Sequence, residues 1–213
     1  MRRIVWLVVV LAILTGVDLV ARTIAEQQVA DQVKSELPAN SHVSASIPTF
    51  PFVPRLVFWG SVPKVKVTAT DIAGKPLSVA RVEVSVSGVE VNRHSLVNHR
   101  RVDLVAVDNG TVAADVTQNA LSDVLHIPVQ IGNGRVTVVI SGQTLTVVPT
   151  IDKNNKHLIL TPVGGGQVQT VGLGQTNLIP CAGKVQVEES KLRLSCAFDH
   201  IPDAFVRAAN NAK

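Results

Sequence analysis

Beyond Val43 the apolar residues of the chain recur at every second position, and this alternation constrains the fold more than any other feature. A period of two is typical of a half-buried β-strand. In Lys64–Asp71 one face carries Val65, Val67 and Ala69, and the other carries Lys64, Lys66, Thr68 and Thr70. Strands are likewise predicted at Arg135–Ile140, Gln143–Ile151 and His157–Thr161, and Asn109–Gly110 fits a hairpin turn. The pattern therefore predicts a domain dominated by antiparallel sheet.

Helices are predicted at both ends of the chain and once within the β-region. Apolar residues spaced three and four apart predict a long helix over Asp18–Leu37, ended by Pro38. A short helix begins after Thr117, a suitable N-cap, and residues 201–213 predict a C-terminal helix. We therefore expect a single α+β domain over residues 22–213, with the long helix packed on a strongly curved antiparallel sheet.

The N-terminus has the charge order and length of an export signal. Arg2 and Arg3 precede an unbroken apolar run from Ile4 to Leu14. With these arginines inside, the remaining chain lies on the extracytoplasmic side of the plasma membrane, in the cell envelope. An uncleaved signal anchor over residues 1–21 is favoured, because Leu19 replaces the small residue of an A-x-A-like site before Ala21. A cleaved signal peptide remains the alternative.

The two cysteines, Cys181 and Cys196, are an even number in a chain with an export signal, which suggests a disulfide. A predicted hairpin around Glu189–Ser190 pairs Val187 with Leu192 and Val185 with Leu194. This register places Cys181 diagonally from Cys196, and a bend at Pro180 and Gly183 would bring them within bonding distance. Two buried free thiols are the alternative.

Four of the seven aromatic residues fall within ten positions: Phe50, Phe52, Phe58 and Trp59. Prolines at positions 48, 51, 54 and 63 are expected to exclude a regular helix there. In one interpretation these rings contact lipid or membrane, with Arg55 directed toward phosphate. In the other, the phenylalanines close one end of the sheet as a small core. The two interpretations do not exclude each other.

The segment "IPTFPFVPRLVFWGSVPKVKVTATDI" resembles the signature of the LmeA-like phospholipid-binding family of exported mycobacterial-type envelope proteins. The matching positions are Ile47, Phe50–Phe52, Gly60, Val65–Thr70 and Asp71. The resemblance implies phospholipid binding, phosphatidylinositol included, and a supporting role in envelope glycolipid or mannan assembly. It also implies a fold similar to tubular lipid-binding modules, with an aliphatic groove. A solidly packed valine-rich core is the alternative to that groove.

A second candidate contact is the loop that contains Arg93, Arg100 and Arg101. The forked donors of the arginine guanidinium group suit a phosphate headgroup, although such a cluster more often lies in a loop that simply faces solvent. The formal charge is +4, and no dense Lys/Arg stripe indicates nucleic acid as a partner.

Signals for catalysis, metal and cofactors are lacking. The sequence contains no Gly-x-Ser-x-Gly elbow, no His-Glu-x-x-His motif and no Walker loop, and its histidines lack metal-ligand spacing. We therefore expect a non-catalytic lipid-binding envelope protein without a cofactor. The alternatives are a structural or scaffolding envelope protein that acts through protein partners, and a glycolipid hydrolase with an unrecognised site.

Overall fold

A computed structural model of the 213-residue chain describes residues 2–35, 37–74, 76–92, 94–95, 104–140, 142–152, 154, 156–173, 181 and 183–199, with side chains from residue 15 onward. The helices are α1 Arg2–Ser35, α2 Phe52–Pro54, continued by a π-helical turn at Arg55–Trp59, and α3 Gln118–Leu125. The strands are β1 His42–Ser46, β2 Ser61–Ile72, β3 Val79–Val91, β4 Leu104–Thr117, β5 Val129–Gly132, β6 Arg135–Ile140, β7 Gln143–Ile151, β8 His157–Pro162, β9 Gln169–Gly172, β10 Lys184–Glu188 and β11 Lys191–Phe198.

The strands form two antiparallel sheets rather than one. Sheet A has six strands in the order β1-β2-β3-β4-β11-β10, and sheet B has five strands in the order β5-β6-β7-β8-β9. The α+β class is therefore confirmed. The described strands form neither a closed nor a strongly curled sheet, so the strong curvature expected from the sequence stays a prediction.

The main core lies between the two sheets. Sheet A contributes Val116, Leu192 and Leu194, among others, and sheet B contributes Val136, Leu158 and Leu160, among others. These side chains come from alternate positions of their strands, as half-buried strands require. A smaller second core contains Ile47, Phe52 and Val62, with Ala21 and Ala25 of α1 packed against it. Helix α1 therefore attaches to the body of the protein at this second core.

Helix α1 is a single helix from Arg2 to Ser35, which continues the predicted helix back through the apolar N-terminal segment. It ends two residues earlier than the pattern predicted, before the proline at position 38 that cannot continue a helix. Within the part of the chain that the structure describes, no helix is both long and apolar enough to span a membrane.

The hairpin predicted at Asn109–Gly110 is wrong. Strand β4 runs straight through these residues, and Gly110 pairs with Val86 on β3 and with Phe198 on β11. A Cβ atom at Gly110 would lie 2.8 Å from Cε2 and 3.0 Å from Cε1 of Phe198, and closer still to Cζ. The glycine therefore makes room for a ring that packs on the sheet, whereas the same dipeptide in isolation favours a turn.

The hairpin of β10 and β11 is confirmed in its register. Val185 pairs with Leu194 and Val187 with Leu192. Cys181 and Cys196 form a disulfide with their Cα atoms 5.6 Å apart. This bond ties the segment before β10 to β11, the strand next to β10 in sheet A.

The predicted internal helix is also confirmed. The Thr117 hydroxyl accepts a hydrogen bond from the Ala120 amide at 3.3 Å, which caps the first turn of α3. Ala120 and Leu121 are buried in the main core. The predicted C-terminal helix at 201–213 lies outside the described residues.

Candidate functional site

The aromatic segment forms a short helix, although its prolines were expected to exclude a regular one. Its first turn is α-helical from Phe52 to Pro54, and the π-helical turn Arg55–Trp59 follows. Pro54 falls in the first turn, where a backbone N–H has no partner within the helix, so its missing donor costs little. Gly60 ends the helix in the left-handed conformation with a φ of 64°.

The structure separates the four clustered rings into one buried ring and three exposed ones. Phe52 is only 5% exposed and packs with Ile47 and Val62. Phe50, Phe58 and Trp59 are exposed by 64%, 67% and 68%. The rings of Phe58 and Trp59 meet edge to face, with their centroids 6.0 Å apart. One phenylalanine therefore closes the end of the sheet, while the other rings are exposed on the surface.

We name the exposed residues Phe50, Val57, Phe58 and Trp59 the aromatic patch. Val57 is 43% exposed, so a continuous run of three large apolar side chains, Val57–Trp59, faces outward. Arg55 is exposed in the same helix. Exposed apolar groups concentrated on one short element are uncommon on soluble proteins and indicate an interaction surface. The second candidate contact, Arg93, Arg100 and Arg101, lies outside the described residues.

Asp18 of α1 holds the aromatic segment in place, a role that the sequence analysis missed. Its carboxylate accepts hydrogen bonds from the backbone amides of Phe52, at 2.9 Å, and Val53, at 2.6 Å. The residue is only 3% exposed. The side chain thus caps the first turn of a helix more than thirty residues away in sequence. The only local signal was an acidic residue within an apolar segment.

A second attachment lies two turns further along α1. The Glu26 carboxylate accepts a hydrogen bond from the Ile47 amide at 2.6 Å. It also forms a salt bridge with Arg22, whose Nε lies 3.0 Å away. Between the two carboxylates, Ala21 and Ala25 pack against the second core. Helix α1 therefore holds the segment from Ile47 to Trp59 in two ways. Ala21 and Ala25 pack against the second core, and a carboxylate on each side of this packing binds backbone amides of the segment.

A half-buried apolar face extends along sheet A from the second core to the main core. Val65 pairs with Val86, and Val67 pairs with Val84. Directly paired side chains project to the same side of a sheet, and all four are only partly buried. Val65 packs against the second core and Val84 against the main core. We name these four residues the valine face. Its apolar side chains suit contact with an aliphatic chain, and the predicted hollow stays a prediction.

A separate cleft of about 630 Å³ is lined mostly by polar side chains, including Gln118, Gln130, Asn133, Arg135 and Thr137. Because of this lining, the cleft does not correspond to the predicted aliphatic groove. Among the residues that the structure describes, no group of three or more His, Cys, Asp or Glu side chains is placed to hold a metal ion.

The ion pairs with resolved pKa shifts lie away from the aromatic patch. The hydrogen bond from the His157 ring, followed by that from the His157 amide, lowers the pKa of Asp152. The carboxylates of Asp115 and Glu188, at 2.8 and 3.1 Å, raise the pKa of Lys191. Both groups stabilise strand ends or turns, so they do not indicate a chemical function.

The site is thus an exposed aromatic patch held against α1 at one end of a two-sheet α+β body. The chain also matches the family model described as LmeA-like phospholipid-binding, over residues 16–197. This match covers well over half of the sequence, so the protein belongs to that family. The description of the family agrees with the expectation that the protein binds lipid. No curated protein and no solved structure matches the chain.

Proposed function

We propose that the protein binds phospholipid in the cell envelope, on the extracytoplasmic side of the plasma membrane. Phosphatidylinositol is the first ligand to test, and support of envelope glycolipid assembly is the role that would follow. The observation that carries the proposal is the aromatic patch, because three rings about two-thirds exposed lie within the residues that match a phospholipid-binding family.

In this proposal the aromatic patch contacts the membrane and the valine face receives acyl chains. The patch leads through Gly60 directly into β2, and β2 carries Val65 and Val67. An acyl chain leaving the membrane at the patch would therefore meet the valine face next. Arg55, exposed in the same helix as the patch, supplies a positive charge for a phosphate group.

The first experiment asks whether phospholipid is bound at all. The full chain is purified from its own envelope in mild detergent and examined by native mass spectrometry. Co-purified phospholipid in defined stoichiometry supports the proposal, and its class identifies the headgroup. A protein that carries protein partners but no lipid would support the scaffolding alternative instead.

The second experiment tests the patch. A chain of residues 15–213 keeps every described side-chain contact but lacks the apolar run that would itself bind vesicles. Replacing both Phe58 and Trp59 by Ser should weaken its flotation with vesicles of phosphatidylcholine and phosphatidylinositol at least tenfold. Two rings two-thirds exposed can contribute about 2–4 kcal/mol on transfer into lipid.

The matched control replaces Val163 and Val168, which are 59% and 52% exposed at the opposite sheet, by Ser. Neither the control nor the patch variant should lower the melting temperature appreciably, because exposed side chains contribute little to folding. Arg55→Glu should weaken binding to anionic vesicles but not to neutral ones. Binding to anionic vesicles that survives all of these changes would show that the patch is not the contact.

A further inference from the structure

We propose that Asp18 is a positioning residue that clamps the aromatic patch to α1, so that the patch forms a fixed belt where α1 enters the phospholipid bilayer. The inference rests on the proposed function of the patch. Beyond that function, the inference identifies Asp18 as the residue that orients the patch. It also places the patch at the membrane surface, where α1 enters the bilayer.

The clamp uses both oxygens of one carboxylate. Asp18 Oδ2 accepts from the Phe52 amide and Asp18 Oδ1 accepts from the Val53 amide. Hydrogen bonds to a charged acceptor are stronger than bonds between neutral groups. Because Asp18 is only 3% exposed, little water competes with the two amides for its oxygens. An asparagine offers only one acceptor oxygen, and an alanine offers none. Of these three side chains, only aspartate accepts the two bonds with separate oxygens.

Glu26 makes the attachment rigid. It lies eight residues beyond Asp18 on α1, which is about 12 Å along the helix axis, and it holds the Ile47 amide at 2.6 Å. One attachment would leave the aromatic segment able to rotate about it. Two attachments on either side of the second core fix its direction relative to α1.

The exposed positions of α1 change from apolar to polar at the level of these attachments. Val17, Leu19, Val20 and Ile24 are each at least half exposed. Thr23 is also exposed in this stretch, and its hydroxyl group donates a hydrogen bond to the backbone carbonyl of Leu19 at 2.9 Å. Beyond Ile24 the exposed residues are Gln27, Gln28, Asp31, Gln32, Lys34 and Ser35. A helix whose exposed surface changes in this way fits a boundary between lipid and water.

The occupant of this surface is a phospholipid bilayer, because the sequence before Val17 continues as the apolar run Ile4–Leu14. Tryptophan and phenylalanine are suited to the level at which such a helix leaves the lipid. The clamp also explains how Asp18 is tolerated between Val17 and Leu19. A carboxylate facing lipid is costly, whereas this one is turned inward and satisfied by two amides.

The test measures the depth of Trp59 in the full chain. Trp6 is the only other tryptophan, so the Trp6→Phe variant makes Trp59 the sole reporter. The protein is reconstituted in nanodiscs of phosphatidylcholine and phosphatidylinositol, with lipids brominated near the headgroup or near the chain end. With the clamp intact, Trp59 should emit at short wavelength and be quenched more by the bromines near the headgroup.

Asp18→Ala should shift the equilibrium between clamped and released patch about tenfold or more toward release. Trp59 emission then moves to longer wavelength and its quenching falls, although the protein remains in the nanodisc through α1. Asp18→Asn should give an intermediate result, since one bond remains. The matched control is Asp31→Ala, the same change at an exposed position of the same helix. It should leave the emission and the quenching unchanged.

Each outcome decides the proposal. If Trp59 is quenched equally in the Trp6→Phe protein and in both Asp18 variants of it, Asp18 does not hold the patch in place. If Trp59 is not quenched in the Trp6→Phe protein itself, the patch does not lie at the membrane surface. If Asp18→Ala fails to fold, Asp18→Asn keeps the packing and carries the test alone. Phospholipid that co-purifies with the parent is judged independently. The proposed function can therefore survive while the clamp fails, or fail while Asp18 still orders the segment.

Discussion

A methyl group at Gly110 should destabilise the protein, and it should do so only through the ring of Phe198. In the structure Gly110 lies in the middle of β4, directly paired with Phe198 of β11. A Cβ atom there would lie 2.8 and 3.0 Å from two carbons of that ring. Nonbonded carbons prefer a separation of about 3.5–4.0 Å. In Gly110→Ala the ring must therefore move by more than half an ångström.

The magnitude follows from this overlap. Inserting a methyl group into a packed site costs about 1–3 kcal/mol. Against this stands a gain of about 0.5–1 kcal/mol, because alanine restricts the unfolded strand more than glycine does. We therefore expect a net loss of about 1 kcal/mol in the free energy of unfolding, within a range of roughly 0–2.5 kcal/mol. A domain of this size loses about 2–4 °C in melting temperature per kcal/mol.

The assay is a double-mutant cycle by thermal and denaturant unfolding of the disulfide-bonded protein. Phe198→Ala removes the ring and has its own cost, but Gly110→Ala added to it should be neutral or slightly stabilising. The coupling energy between the two sites should be about 1–3 kcal/mol. Equal costs of Gly110→Ala with and without the ring would refute the argument. They would indicate that the glycine is required for its backbone and not for the space it leaves.

Three further predictions concern other parts of the chain. Thiol labelling of the denatured, non-reduced protein should find no free cysteine, and two labelled thiols would contradict the bond. The Cys181–Cys196 disulfide closes a loop of 15 residues, so its reduction should lower the free energy of unfolding by about 3 kcal/mol. Mass analysis should show that the mature chain begins at or near Met1. A mature chain that begins near Arg22 would instead show that a signal peptide containing Asp18 has been removed. Because hydrogen bonds from His157 lower the pKa of Asp152 below its ordinary 3.8, the contribution of this turn to stability should be present above about pH 4 and lost as pH falls through the lowered value. In an NMR titration His157→Ala should raise the Asp152 midpoint, and an unchanged midpoint would assign the shift to the backbone amides alone.

The strands and the internal helix could be predicted because their signals are local. Alternation fixed the bounds of β6 and β7, and Thr117 marked the start of α3 through its own hydroxyl. The register of β10 and β11 followed from a short hairpin, in which neighbours in sequence are neighbours in space. Such elements need no knowledge of the rest of the chain.

The errors arise where distant residues decide the outcome. Asn109–Gly110 has the composition of a turn, but β11, nearly ninety residues later, packs Phe198 over Gly110 and keeps β4 straight. The division into two sheets also depends on β4 pairing with β11, which no local pattern reveals. Likewise, the sequence showed four clustered rings but not which of them would be buried.

That last distinction has a physical cause in Asp18. A helix of one or two turns is not stable in isolation, since too few hydrogen bonds offset the cost of its first turn. The segment Phe52–Trp59 becomes helical because Asp18 satisfies its first amides and Gly60 ends it in the left-handed conformation. Once helical, it turns Phe52 and Leu56 toward the second core, while Phe58 and Trp59 face outward. The exposure of the proposed lipid-contacting rings thus depends on a carboxylate in the N-terminal helix. A chain cut at Ala21 would retain the rings but lose the residue that directs them outward.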